Sequence, residues 1–184
     1  LCGVFGFNQT LTTLAAGKPC VLVESYEIDE IARLIAQHRP STLLGSDDMI
    51  ARLLELVPGE KPFPSVKWMG YAGFNAALEN IAEVAETRGL ILRGPYGMSE
   101  VQALYAIQPI DAPVAQRKKG GGVVSSPFAH VRVRDPETGE LLGPGQPGAL
   151  ECAGPSLMVG YWGNEKATAE ALTKDGYVRT GDLG

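Results

Sequence analysis

The first half of the chain alternates strand-like and helix-like segments across short connections, and that order leaves few folds open. Residues 19–23 form a short apolar run rich in β-branched side chains, which predicts a buried strand. Ile28, Ile31, Leu34 and Ile35 then share one helical face, with Asp29 and Glu30 in the first turns, where carboxylates favour the positive end of the helix dipole. Pro40 stops that helix, and residues 41–44 read as the next strand. Ser46 suits the N-cap of a helix carrying Ile50, Leu53, Leu54 and Val57, which Pro58 and Gly59 end. Residues 66–71 predict another strand, Asn75 caps a helix expected to reach Arg88, and Gly89 fits the left-handed position after it. Residues 90–92 are a fourth strand and run directly into Gly94, Pro95 and Tyr96.

Strands separated by helices imply a parallel sheet covered by those helices, because parallel neighbours need crossovers. Ligands of such sheets gather beyond the carboxyl ends of strands. Ala72, Gly73 and Phe74 sit at one such end and residues 96–100 at another, so both stretches are candidate site segments. The composition changes after about residue 110: Pro113, Gly120, Gly121, Gly122 and Pro127 mark loops. Residues 131–134 alternate as a half-buried strand, Asp135 to Gly139 read as a turn, and residues 150–153 as a further strand. The expected architecture is an α/β lobe over residues 1–110, its parallel sheet covered by helices. A smaller antiparallel, β-barrel-like portion over residues 111–184 follows.

Composition narrows the function. A net charge of −5 argues against broad electrostatic binding of nucleic acid. Arg117-Lys118-Lys119 is the one basic cluster and reads as a solvated loop. Cys2, Cys20 and Cys152 are odd in number, widely spaced and without a Cys-x-x-Cys pair, which predicts buried thiols in a reducing, cytoplasmic setting. His38 follows a helical pattern and His130 sits beside a strand, too few and too separated for a metal cluster. No apolar run approaches the ~20 residues of a membrane span, and the first residues do not read as a signal peptide.

Two motifs carry the chemistry: Tyr96-Gly97-Met98-Ser99-Glu100 and Tyr177-Val178-Arg179-Thr180-Gly181-Asp182. Each is weak alone; together, in this order, they resemble the signature of the adenylate-forming (AMP-binding) superfamily. That superfamily holds acyl-CoA synthetases, aryl-CoA ligases, peptide-synthetase adenylation domains and beetle luciferases. The resemblance implies ATP, Mg²⁺ and CoA as co-reactants of a small-molecule carboxylic acid. It implies that Tyr96 packs on adenine, Ser99 meets the α-phosphate, Glu100 holds magnesium and Asp182 accepts from the ribose hydroxyls. Gly97 and Met98 belong to the same nucleotide segment, with Gly97 allowing a sharp turn. Ser99 and Glu100 are thus the expected catalytic residues, and Glu100 the metal ligand. Such roles suit the residue types: a flat ring stacks on a purine for ~1–3 kcal/mol, and a carboxylate is a hard ligand for Mg²⁺.

Ala72, Gly73 and Phe74 occupy the position of the family's Gly-Gly-Ala loop, which lines adenine and the acyl pocket; Phe74 either reshapes that pocket or is a core side chain. Residues 148–162 resemble the family's Gly-Glu-Leu…Gly-Pro…Gly-Tyr-Trp stretch, with Ala149 in place of Glu, and are expected to be structural. Gly3 stands where the family places a histidine, so no gating role transfers. The resemblance covers the middle third of a typical member. The upstream phosphate loop and the downstream lysine domain are not in this sequence, so these residues alone are expected to be inactive. An apolar, fatty or aromatic acid and a CoA acceptor are favoured. The alternatives are an amino-acid adenylation domain, a luciferase, or a nucleotide-binding module without catalysis.

Overall fold

The computed structural model describes residues 3–184, which divide into two compact units. One runs to Tyr96 and resumes over Ala106–Val123; the other comprises Gly97–Tyr105 and Val124–Gly184. Cys2 lies outside the described residues. Cys20 and Cys152 are free thiols, the second buried.

In the first unit α1 (Val4–Ala15) and α2 (Ile28–His38) precede β1 (Thr42–Ser46), α3 (Asp47–Leu56), β2 (Trp68–Ala72), α4 (Ile81–Thr87) and β3 (Leu92–Arg93). The strands form a parallel sheet in the order β1-β2-β3, with Thr42 opposite Trp68, Ser46 opposite Ala72 and Met69 opposite Leu92. Local chemistry sets the helix ends. Ser46 Oγ accepts the Met49 N–H at 3.2 Å and so satisfies one of the unpaired donors that open α3. Arg39 adopts φ 49° after α2, its N–H returning to the Ile35 carbonyl, and Pro40 prevents continuation. One core joins these elements. Ile28 and Ile35 of α2, Ile50 and Leu53 of α3 and Ala85 of α4 pack with Met69 and Leu92 of the sheet. Full burial of each large aliphatic side chain contributes ~1.5–3 kcal/mol.

The remaining elements of this unit are β4 (Pro95–Tyr96), β5 (Ala106–Ile107) and α5 (Val114–Arg117). The two strands pair antiparallel, Tyr96 opposite Ala106. Next, β6 (Val123–Val124) carries the chain across the boundary between units.

Three sequence expectations give way here. Residues 19–23 are not a strand: Val21, Leu22 and Val23 are exposed, and β1 is the outer strand of its sheet. Strand propensity without a ladder to join does not make a strand. The helix expected from Asn75 is broken. Asn75 Oδ1 accepts the Ala77 N–H at 3.0 Å and starts a 3-10 turn over Ala76–Leu78, and α4 begins only at Ile81. Such local side-chain bonds compete with the helix ladder. The basic cluster is not a solvated loop either. Arg117 is 3% exposed, donating to the carbonyls of Ala112 and Leu92 at 2.8 Å each and pairing with Glu86. Lys118 Nζ lies 2.6 Å from Glu83.

The second unit carries an open antiparallel sheet in the order β7-β8-β9, built from β7 (His130–Arg134), β8 (Ala149–Ala153) and β9 (Val178–Leu183), with α6 (Glu165–Ala171) before β9. No closed barrel forms among the described residues. Asp135 Oδ1 accepts from the Glu137 and Thr138 amides and makes the turn after β7. His38 and His130 are both at the surface. No helix of the described residues is long and apolar enough to cross a membrane.

Glu151 ties the three strands together. It lies opposite Arg132 on one side and Arg179 on the other. Only 4% exposed, its carboxylate sits 2.5 Å from Arg132 Nε, 3.1 Å from Arg134 Nε and 3.9 Å from Arg179 Nε. Arg132 also bonds Asp175 and covers the Tyr177 ring at 3.7 Å from its centroid. The carboxylates, Asp175 first and then Glu151, raise the guanidinium pKa, and Asp175 is lowered in turn by Arg132. Glu151→Ala should cost ~2–3 kcal/mol, below the ~3–5 of a fully buried pair because the arginines reach water. Urea unfolding measures it; a loss near that of a surface pair, ~0–1 kcal/mol, would show that the cluster is not a structural centre.

Candidate functional site

In the first unit, the level ends of β1 and β2 set up the candidate segment at Ala72, Gly73 and Phe74. Because Ser46 lies opposite Ala72, Asp47 falls one residue past β1, beside the backbone that leaves β2. Its side chain is 2% exposed, and Oδ2 accepts the N–H groups of Phe74 at 2.8 Å and Asn75 at 2.7 Å, while Oδ1 accepts that of Asp48 at 2.9 Å. Burial opposes the charge, but the amides of Asn75, Phe74 and Asp48 outweigh it and hold the carboxyl below its ordinary pKa. Asp47 was not among the residues singled out from the sequence, since a polar residue at a helix start reads as a cap. Phe74 is 83% exposed, which corrects the core reading and leaves its ring beside the loop of Ala72 and Gly73.

Tyr96 closes β4, half-buried, in the first unit; Gly97 opens the second. Gly97 is demanded by close approach: a Cβ there would stand 1.1 Å from the Ala103 carbonyl oxygen. The Met98 carbonyl accepts from the Val101 and Ala103 amides, and Ser99–Val101 winds into a 3-10 turn. Gln102 and Ala103 follow at φ 63° and 62°, a left-handed conformation that L residues seldom adopt twice in succession. Buried Tyr105 anchors the end of this segment, its hydroxyl 2.7 Å from the His130 carbonyl and 2.8 Å from that of Ala153. Burial pushes that phenol up to about 12. On the turn Ser99 is exposed and Glu100 half-buried. Glu100 Oε1 accepts the Tyr161 hydroxyl at 2.7 Å, and its carbonyl accepts the Met158 amide at 2.8 Å.

Asp182 stands on a bulge. Between the pairs Ala149–Leu183 and Glu151–Arg179, Leu150 alone on β8 faces Thr180, Gly181 and Asp182 on β9. Thr180 and Gly181 bend the strand there. Gly181 takes φ 80°, which a side chain would strain. Thr180 Oγ1 donates to the Leu150 carbonyl at 2.8 Å and accepts the Asp182 amide at 3.0 Å. Bulges re-aim side chains and recur beside active sites. The Cys152 thiol, fully buried, is pushed up to about 11 by burial, with the Asp182 charge adding to the shift.

Among the described residues no group of three or more His, Cys, Asp or Glu comes together to hold a metal. Magnesium bound with a nucleotide needs only one or two carboxylates, its other ligands being phosphate and water oxygens. Glu100 fits that need: it is partly open to solvent, and Oε2 carries no hydrogen bond among the described residues.

The model of a family described as AMP-binding enzyme matches residues 1–162, and the chain belongs to that family. It is 30% identical over 184 residues to the 4-coumarate–CoA ligase-like 9 protein of Arabidopsis thaliana, a match covering 98% of this chain and 32% of that protein. It is 36% identical over 116 residues to the probable 4-coumarate–CoA ligase 2 of Dictyostelium discoideum, covering 62% of this chain and 20% of the relative. ATP-bound MatB from Rhodopseudomonas palustris superposes with a TM-score of 0.79 at 28% identity, over 96% of this chain and 34% of that one. O-succinylbenzoate CoA synthetase from Bacillus subtilis, solved with AMP, gives a TM-score of 0.83 over 98% of this chain and 36% of that one; at 20% identity it shows the fold alone. The chain thus spans about a third, or less, of the curated relatives it matches.

The Asp47 contacts predict a pH signature. A carboxyl held below its ordinary value stabilises the fold above the unfolded pKa of ~3.9 and loses that contribution as pH falls through the folded value. Asp47→Asn faces amide donors with a donor of its own and should cost ~1–3 kcal/mol at neutral pH. Urea unfolding between neutral and acid pH should show the gap from wild type closing on the acid side. A gap independent of pH would mean that the charge is not what holds the loop.

Proposed function

We propose that these residues form part of an ATP-dependent carboxylate–CoA ligase. It activates an apolar fatty or aromatic acid as the acyl-adenylate, passes the acyl group to CoA, and releases AMP and pyrophosphate. A cytoplasmic setting belongs to the same proposal. The observation that carries it is the bulge of β9, which sets the carboxylate-bearing Asp182 apart from the regular ladder. Its carboxylate is assigned to the ribose hydroxyls, since one anion accepts from both. Tyr96 is assigned to the adenine face, Ser99 to an α-phosphate oxygen, and Ala72, Gly73 and Met98 to the walls of the nucleotide segment. Gly97 supplies the close backbone approach on which the turn depends. Glu100 is assigned to Mg²⁺, which when bound with the nucleotide neutralises phosphate charge. The names of the ligase relatives and the ATP-bound neighbour support this reading. The complete reaction is assigned to the longer enzyme; the 184 residues alone are expected to bind nucleotide without making adenylate.

Asp182→Ala should weaken ATP binding by ~1.5–3 kcal/mol, the worth of hydrogen bonds to a charged group. Titration calorimetry reads this directly, and an unchanged affinity would remove the ribose assignment. Phe74 supplies a second test. An exposed ring beside the acyl-pocket loop narrows the space for the acid, so Phe74→Ala should shift preference toward bulkier acids and leave stability nearly unchanged. Thioester products from a panel of short, long and aromatic acids, made by the longer enzyme, decide it. An identical product profile would place Phe74 outside the acid's path.

A further inference from the structure

Glu100 is held at two points by one segment of chain, and that segment is itself anchored. The Met158 amide bonds the Glu100 carbonyl at 2.8 Å, and three residues on the Tyr161 hydroxyl bonds Glu100 Oε1 at 2.7 Å. The Tyr161 amide in turn donates to Thr168 Oγ1 at 2.9 Å, and the Thr168 hydroxyl donates to the Asn164 carbonyl at 2.9 Å. Gly160 lies against the same threonine so closely that a Cβ would stand 2.8 Å from Thr168 Cγ2. The phenol is therefore fixed from the opening turn of α6, although it is 38% exposed and contributes little to any core. A surface glutamate ordinarily samples several rotamers, a freedom that is lost when the side chain is fixed. Here one oxygen is claimed in advance and the other is left open.

We infer that Tyr161 is a positioning residue for Glu100: its hydroxyl holds Oε1 so that Oε2 is presented, in a single orientation, to a divalent cation carried on nucleotide phosphates. The inference rests on the proposed reading of Glu100 as the cation's carboxylate. It assigns Tyr161 the part that outer-shell hydrogen-bond partners play at metal sites, where they orient the ligand without touching the ion. A purely architectural role for the contact would hold residues 158–161 in place and make no distinction between metal-loaded and metal-free nucleotide.

The test uses the full chain with Mn²⁺ as the probe cation, free Mn²⁺ being counted by electron paramagnetic resonance in the presence of saturating ATP. Affinity for ATP in a chelator is measured beside it. Tyr161→Phe removes one hydroxyl and should weaken Mn²⁺ binding about tenfold, the low end of the ~10–100-fold typical of a lost outer-shell partner, with metal-free ATP affinity unchanged. Glu100→Gln should weaken Mn²⁺ binding at least as much. Thr168→Val, which releases the Tyr161 amide, should weaken it less, and it serves as the second variant should the first fail to fold. If Glu100→Gln weakens Mn²⁺ binding and Tyr161→Phe and Thr168→Val do not, the positioning role is overturned while the metal reading stands. If Glu100→Gln behaves as wild type, or wild type shows no ATP-dependent Mn²⁺ binding, both fall. Equal losses with and without metal in Tyr161→Phe would reduce the contact to architecture and also overturn the inference.

Discussion

Two parallel strands that end level with each other leave backbone N–H groups with no ladder to join, and Asp47 accepts those of Phe74 and Asn75. The arrangement inverts the usual cost of burying a carboxylate. An anion out of water is unfavourable unless it is hydrogen-bonded, and orphaned amides are unfavourable for the same reason. Each satisfies the other. The loop that the resemblance associates with adenine and the acyl group is therefore held through the Phe74 and Asn75 amides on the Asp47 carboxylate, one residue past β1. The Phe74 ring, which takes no part in these bonds, is left exposed.

The second unit solves a different problem with the same residue chemistry. Its sheet has three strands, and Glu151 at their centre faces arginines from both neighbours. Next to that charged rivet β9 departs from regular pairing over Thr180, Gly181 and Asp182. The two features belong together. A strand bent by a bulge loses ladder bonds, and the cluster of Arg132, Arg134 and Arg179 around one carboxylate keeps it registered with β8 immediately before the bend.

Much of the fold was legible because it rests on local rules. The cap at Ser46, the stop at Pro40, the left-handed Gly89 and the turn at Asp135 were all readable from residue type and spacing. What escaped depends on residues distant in sequence. The run at residues 19–23 has strand composition, yet a strand exists only where an edge accepts it. Arg117 looked like part of a solvated basic run, whereas the Leu92 and Ala112 carbonyls and Glu86 give a buried guanidinium the partners it requires. Asp47 and Tyr161 were invisible as site residues because their partners lie 27 to 28 and 61 positions away. The motif residues themselves were found by resemblance, and the structure adds why their backbone has the shape it has.

The contact between Gly97 and the Ala103 carbonyl has a consequence for how this turn can change over evolutionary time. Main chain lies against main chain there, so no side chain of any kind is tolerated at position 97 without moving the turn. Sequence drift is diverted to positions whose side chains meet solvent.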